Sequence, residues 1–346
     1  MDCKKIVALI LILVMAFNCL AGCSEPSETN KDTQARTDDR IQIGLSIDSL
    51  VIERWARERD LFVSKAQELG AEVNVQNANG EVEEQIKQIQ YFIDKKMDVI
   101  VVIAIDDIAL QDVIAKAKKE GIKIVAYDRL IRNANVDLYI SMDNEKVGEL
   151  MAQAIIDQIG KEGRIIQIKG SPTDYNVKMV QDGFEKIIGT TNIRIDEAVF
   201  SDNWVAENAF YTTEDYLASR KIPDAIMCGN DNLAAQAIRS LLEHRLAEKV
   251  CVVGQDADLE ACQRIVEGTQ YMTVFKPVEN LAKEAAKIAV DMANNVPLGL
   301  KETINDGTFE VPYKKLDPIA VTKENMDDVI TGKYHQRSEI YLNVNE

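Results

Sequence analysis

At seven places along the 346-residue chain, a polar cluster follows directly on a short run of mostly apolar, often β-branched residues. Residues 41–47 are followed by Asp48 and then Glu53-Arg54-Trp55. Residues 123–127 run into Asp128-Arg129, and residues 164–169 into a loop ending in Asp174-Tyr175-Asn176. Residues 193–200 lead to Asp202-Asn203-Trp204, and 225–228 to Gly229-Asn230-Asp231-Asn232. Residues 250–253 lead to Gly254-Gln255-Asp256, and 272–275 to Lys276-Pro277. Carboxylates accept hydrogen bonds, Arg and Lys donate, and Asn does both. That mixture suits a neutral polyhydroxylated molecule, because each buried hydroxyl both donates and accepts. An anion site would instead show mainly Arg, Lys and helix N-termini. Both tryptophans of the chain fall in these clusters, and an indole face covers the C–H face of a sugar ring well where water is excluded. Each position alone has a plainer use. Asp or Asn after a strand caps the next helix, Arg129 can form a surface ion pair, Lys276 can stay solvated and Trp55 can pack in a core. Seven such ends together are harder to dismiss than any one.

Other chemistries find little support. There are two histidines and no CxxC, HExxH, GxSxG, GxGxxG or phosphate-binding P-loop pattern. No Asp/Asn ladder has the spacing of a calcium loop. Neither a metal, a cofactor nor a catalytic residue is expected. Asp128 and Asp256 would serve as a glycosidase's acid and base only at a particular separation, so a sugar-processing enzyme is the remote alternative. The formal net charge of −17 argues against nucleic acid, which needs clustered Lys and Arg.

The elements that must position these residues alternate. Strands are expected at 41–47, 72–75, 99–103, 123–127 and 138–142, with helices at 54–69, 82–95 and 108–120 between them. The alternation then restarts. Helices at 144–159, 177–188, from 207, from 232, 258–267 and 278–294 interleave with strands at 164–169, 193–200, 225–228, 250–254 and 272–275, and a late strand lies at 318–321. Such alternation implies parallel sheets with right-handed crossovers and helices on both faces. About ten strands exceed one small domain, so the expected fold is α/β with two doubly wound parallel-sheet lobes. In open α/β sheets, ligands bind beyond the carboxyl ends of the strands, where the seven clusters fall.

The N-terminus reads differently. Lys4 and Lys5 precede an unbroken apolar run at 6–17, too short for a membrane span of about 20 residues and typical of a secretory signal. Leu20-Ala21-Gly22-Cys23 looks like a bacterial lipoprotein cleavage box, with Cys23 as the lipidated residue. Residues 24–40 hold no apolar side chain larger than Ala and read as a flexible tether. The first 22 residues net +1 and residues 24–40 net −2, leaving −16 on residues 41–346. The acidity therefore belongs to the folded part, where its ordinary role is solubility. Cys228, Cys251 and Cys262 read as buried thiols. Residues 333–346 match nothing assignable.

The strand-end motifs, in this order, resemble the xylose-binding members of the periplasmic binding protein family of the ribose/galactose type. The resemblance covers about residues 41–332. It is carried by Ile52-Glu53-Arg54-Trp55, Gln76-Asn77-Ala78-Asn79-Gly80, Ala126-Tyr127-Asp128-Arg129 and the run from Tyr139 to Leu150. Gly170-Ser171-Pro172, Glu207-Asn208-Ala209, Gly254-Gln255-Asp256-Ala257-Asp258, Gly268-Thr269-Gln270 and the run from Met272 to Pro277 complete it. It implies two lobes joined by a three-segment hinge and closing on a sugar. The implied lobes are 41–143 with 277–307, and 144–276 with 308–332. The implied ligand is D-xylose or a related monosaccharide. The implied ligand residues are Arg54, Trp55, Asp128 and Arg129 from the first lobe, Asp174, Asn176, Trp204, Asn230 and Asp256 from the second, and Lys276 at a crossing. The implied partner is an ABC sugar permease, with a membrane sensor kinase or chemoreceptor as the alternative. The implied place is outside the cytoplasm, with the lipid on Cys23 as the membrane attachment. A repressor with the same lobes would need an N-terminal helix-turn-helix, where this chain has a signal and tether. Phe275 stands where this family often has Tyr, which removes a possible hydroxyl.

Overall fold

The computed structural model describes residues 40–50 and 53–344. The signal, the Cys23 lipidation box and the tether up to residue 39 lie outside the described residues, as do Val51 and Ile52.

The first lobe opens with β1 (Gln42–Ile47), α1 (Glu53–Glu68), β2 (Glu72–Asn77), α2 (Val82–Asp94), β3 (Val99–Val102), α3 (Gln111–Lys119), β4 (Lys123–Tyr127) and β5 (Leu138–Met142). The chain crosses at Asp143 into α4 (Asn144–Ile159), β6 (Glu162–Lys169), α5 (Tyr175–Ile188), β7 (Asn192–Phe200), α6 (Glu207–Ala218), β8 (Ala225–Cys228), α7 (Asp231–Glu243), β9 (Cys251–Gln255), α8 (Leu259–Glu267) and β10 (Met272–Phe275). It returns at Lys276-Pro277 to α9 (Val278–Ala293), β11 (Thr303–Asn305) and β12 (Glu310–Leu316), then crosses again to β13 (Ile319–Val321). The sheets run β11-β12-β5-β4-β3-β1-β2 and β13-β10-β9-β8-β6-β7. Both are parallel except at one edge, where β11 runs antiparallel to β12 and β13 to β10.

Two α/β lobes are thus present, as the alternation requires. Two strands were not legible. The sequence reading places residues 308–332 in the second lobe, but β12 pairs with β5, Tyr313 opposite Tyr139. The third crossing therefore falls at residues 317–318. Pro312, Lys314 and Lys315 hide β12 in the sequence, because a proline and two lysines in seven residues do not read as a strand. Pro312 is tolerated because the ladder to β5 begins only at Tyr313, which leaves Pro312 opposite Thr303 of β11 alone.

Alternation along each strand builds the cores. In the first sheet Ile43, Leu45, Val99, Val101, Val125 and Ile140 pack beneath α1 and α9. Ile100, Val102, Ile124, Ala126 and Tyr139 pack on the opposite face against α2 and α3. Strands buried on both faces read as continuous Val/Ile runs for this reason, and each such side chain contributes roughly 1.5–3 kcal/mol relative to exposure. The second sheet repeats the plan, with Ile165, Met227 and Val253 facing α4 and α5, and Ile166, Ile226 and Val252 facing α7. Helices α4 and α5 meet through glycines. A Cβ on Gly148 would lie 1.9 Å from Val180 O, and one on Gly183 2.0 Å from Glu145 O.

Candidate functional site

The residues that end or follow β4, β6, β8, β9 and β10 line one cleft, together with the first turn of α1. The cleft holds about 530 Å3 of non-atom space, its mouth included. Helix α1 starts just beyond β1 and presents Arg54 and Trp55 towards it.

Arg54 is the hub of the first lobe's half. Its Nη2 donates to Asp128 Oδ1 at 2.9 Å, and its Nη1 to Glu58 Oε1 at 2.7 Å, one helical turn along. Its guanidinium lies 3.9 Å over the Trp55 indole. The Tyr127 hydroxyl donates to Glu58 from behind. Burial pushes the Glu58 carboxyl up to about 7, against the pull of Arg54. Burial would also raise Asp128, but Arg54, Lys276 and Arg129 outweigh it and hold that carboxyl below the ordinary carboxylate range.

Asp128 takes up a left-handed conformation at the end of β4, with φ of 63°, which costs a non-glycine residue free energy. Its carbonyl oxygen accepts from Ser141 Oγ at 2.7 Å, Asn176 Nδ2 at 2.8 Å and Tyr139 Oη at 3.1 Å, and these bonds fix it. Asp256 is its counterpart after β9, with φ of 105° and its N–H bonded to Val274 O at 2.9 Å. Asp256 Oδ1 lies 3.0 Å from Lys276 Nζ and 3.6 Å from Arg54 Nε.

Arg129 donates through Nη1 to Asp48 Oδ2 at 2.6 Å and to Ala104 O at 2.9 Å. Its Nε is 2.8 Å from Asp174 Oδ2. Asp174 also caps α5, accepting from Asn176 N at 2.9 Å, and burial pushes its carboxyl up despite Arg129. Contacts across the cleft therefore join the lobes, among them Arg54 to Asp256, Arg129 to Asp174, and Asp128 and Tyr139 to Asn176. The lobes are closed on one another.

Trp204 enters from the second lobe on a one-turn helix, Asp202–Trp204, with its own φ at 60°. Its ring lies on Gly170, where a Cβ would come within 2.1 Å of it. Asn230 spends Oδ1 on capping α7, accepting from Leu233 N at 2.9 Å; its amide nitrogen remains as a donor.

All ten residues singled out from the sequence lie on this cleft. Trp55 is also core, packed with Phe62 and the first sheet, so both of its readings hold. The sequence reading missed Lys169, Gln181, Gln255 and the apolar floor of Val177, Val180 and Met227. Lys169 is buried, 3.3 Å from Gln181 Oε1 and 3.7 Å from the centre of the Phe200 ring. Burial lowers its pKa. The available signal was a charge closing an otherwise apolar strand, one position before the polar cluster that begins at Gly170.

Six of the ten buried side-chain polar atoms without a hydrogen-bond partner among the described residues lie here: Arg54 Nε, Trp55 Nε1, Arg129 Nε, Trp204 Nε1, Gln255 Oε1 and Asp256 Oδ1. Arg54 Nε, Arg129 Nε and Asp256 Oδ1 have ionic neighbours, but outside hydrogen-bond geometry. Proteins leave few such groups unpaired, so their concentration in one cleft marks a place built for a polar guest. Both signs of charge line the cleft, Arg54, Arg129, Lys169 and Lys276 with Asp128, Asp174 and Asp256, while Asp48 and Glu58 pair with Arg129 and Arg54 from outside the lining.

Residues 43–296 match the periplasmic binding protein domain. The chain is 45% identical over 307 residues to the D-xylose-binding periplasmic protein of Haemophilus influenzae, covering 87% of this chain and 92% of that one. It is 42% identical over 327 residues to the D-xylose-binding periplasmic protein of Escherichia coli, covering 93% and 98%. A carbohydrate-transporter solute-binding protein from Chloroflexus aurantiacus, solved with D-glucose, superposes with a TM-score of 0.81 at 24% identity, covering 87% of this chain and 98% of that one.

Proposed function

The chain belongs to the periplasmic binding protein family, and from that premise we propose that it binds one neutral monosaccharide, D-xylose, between its lobes for delivery to an ABC sugar permease. The observation that carries this reading is the cleft's mixture of cations and carboxylates, four of the one and three of the other in its lining, edged by two indoles and with buried polar atoms outside hydrogen-bond geometry. A site of mixed sign that offers both donors and acceptors solvates hydroxyls better than an ion. The xylose-binding names of relatives at 42–45% identity support the choice of sugar.

In this reading Arg54, Asp128, Arg129, Asp174, Asn176, Asn230, Asp256 and Lys276 bond the hydroxyls, and Trp55 and Trp204 cover the ring. Ligand groups from both lobes favour the closed state, because a guest that touches both gains most when they meet. The permease reads the closed surface, and no chemistry is done on the sugar. Asp128, held ionised, suits an acceptor and not a general acid. The protein works outside the cytoplasm, tethered by lipid on Cys23.

Titration calorimetry with a series of pentoses and hexoses tests this. The expected result is one saturable site, tightest for xylose. No heat with any sugar overturns it. Replacing Cys23 with Ala is expected to release the protein from the membrane fraction; retention overturns the lipid tether.

A further inference from the structure

The C-terminal segment, whose sequence matches nothing assignable, reaches the first lobe. Tyr334 is buried in a cluster with Ala257, Cys262, Ile330 and Ile340 of the second lobe and Val278 at the start of α9. Its N–H donates to Ile330 O at 2.8 Å, and its ring meets Phe275 at 4.9 Å. Arg57 of α1, which belongs to the first lobe, lies over that ring with its guanidinium carbon 4.1 Å from the centre. Arg57 Nη1 also donates to the Tyr334 carbonyl at 2.8 Å. Neither residue lines the cleft. Arg57 comes three positions after Arg54, so both ride on the same helix end. One points into the cleft and the other clasps the opposite lobe outside it.

We infer that Arg57 and Tyr334 form a latch between the lobes that sets how long the closed, sugar-loaded state lasts, without touching the sugar. This rests on the reading of a protein that closes on its ligand. Separating the lobes must separate α1 from the C-terminal segment. The guanidinium then exchanges a carbonyl and a ring face for water. A charge-assisted hydrogen bond and a cation–π contact both oppose that step. They act on opening and hence on sugar release, while sugar entry into an open cleft does not involve them.

The test compares Arg57→Ala and Arg57→Met with the wild type. Arg57 is half-buried at the surface, and the Met variant keeps a long apolar stem, so the fold is spared. Stopped-flow release of xylose is expected to quicken about tenfold in both, equivalent to about 1.4 kcal/mol, with the association rate and the ligand-free melting midpoint unchanged. Glu279→Ala is the control, because Glu279 approaches Arg57 at 3.8 Å from within the same lobe; it is expected to leave release unaltered. Unchanged release in the two Arg57 variants, or equal quickening in Glu279→Ala, overturns the latch. Small-angle scattering at saturating xylose is expected to give the Arg57 variants a larger mean radius of gyration than the wild type, because the latch acts only in the closed form; equal radii overturn it. If the wild type binds no sugar, the sugar reading falls and the comparison is made without one: equal radii then overturn the latch, and a larger radius in the variants sustains it.

Discussion

Arg129 and Asp174 meet at 2.8 Å across the cleft, one from each lobe, both buried. Arg129 keeps Asp48 and the Ala104 carbonyl whatever the second lobe does. Asp174 has only its capping bond besides. The pair is therefore a gain made on closure, and removing the carboxylate leaves a buried cation short of one partner.

Asp174→Ala is expected to weaken sugar binding about a hundredfold, roughly 2.7 kcal/mol, just under the roughly 3–5 kcal/mol of breaking a buried pair. Melting of the ligand-free protein should fall only by the loss of the α5 cap, about 1 kcal/mol, because in an open form both charged groups are hydrated. Calorimetry and a thermal scan check the two halves of this.

Gly170 gives Trp204 its seat. Gly170→Ala puts a methyl 2.1 Å from the indole, so the ring must move. The expected outcome is a shifted tryptophan emission and at least tenfold weaker binding, matching the loss in Trp204→Ala, with cooperative unfolding kept in both.

Glu58 titrates at about 7 in the folded protein against an ordinary 4.5. A raised folded value means that the stability tied to this group is fully present below about 4.5 and is lost as pH rises through about 7. Asp231, also pushed up to about 7 by burial, adds a slope of the same sign. Urea unfolding at pH 5, 6 and 7 should show stability falling, and Glu58→Gln should flatten that fall by about one proton's worth, roughly 1.4 kcal/mol per pH unit. An unaltered slope would assign the titration elsewhere.

Gly183→Ala sets a Cβ against the Glu145 carbonyl of the neighbouring helix, and backbone cannot swing aside. A loss of about 2 kcal/mol or more is expected from such overpacking, read as a lower urea midpoint with an unchanged slope.

Periodicity made the two lobes legible and strand-end composition the polar crevice between them, because a strand buried on both faces has to be Val and Ile and polar residues gather at its end; the ten residues within that crevice came from the family resemblance. Those are local constraints, and sequence records them. Lys169 escaped because a lysine at a strand's last position looks solvated until a phenyl ring and a glutamine are seen around it. Strand β12 escaped because its partner β5 lies some 170 residues away, and its pairing compensates for Pro312 and two lysines that argue against a strand locally. The Arg57–Tyr334 contact spans 277 positions and depends on the lobes meeting. Which carboxylate faces which cation, and so why Asp128 is held ionised while Glu58 is pushed towards neutrality, depends on distances of a few ångströms and on burial. Both come only from packing.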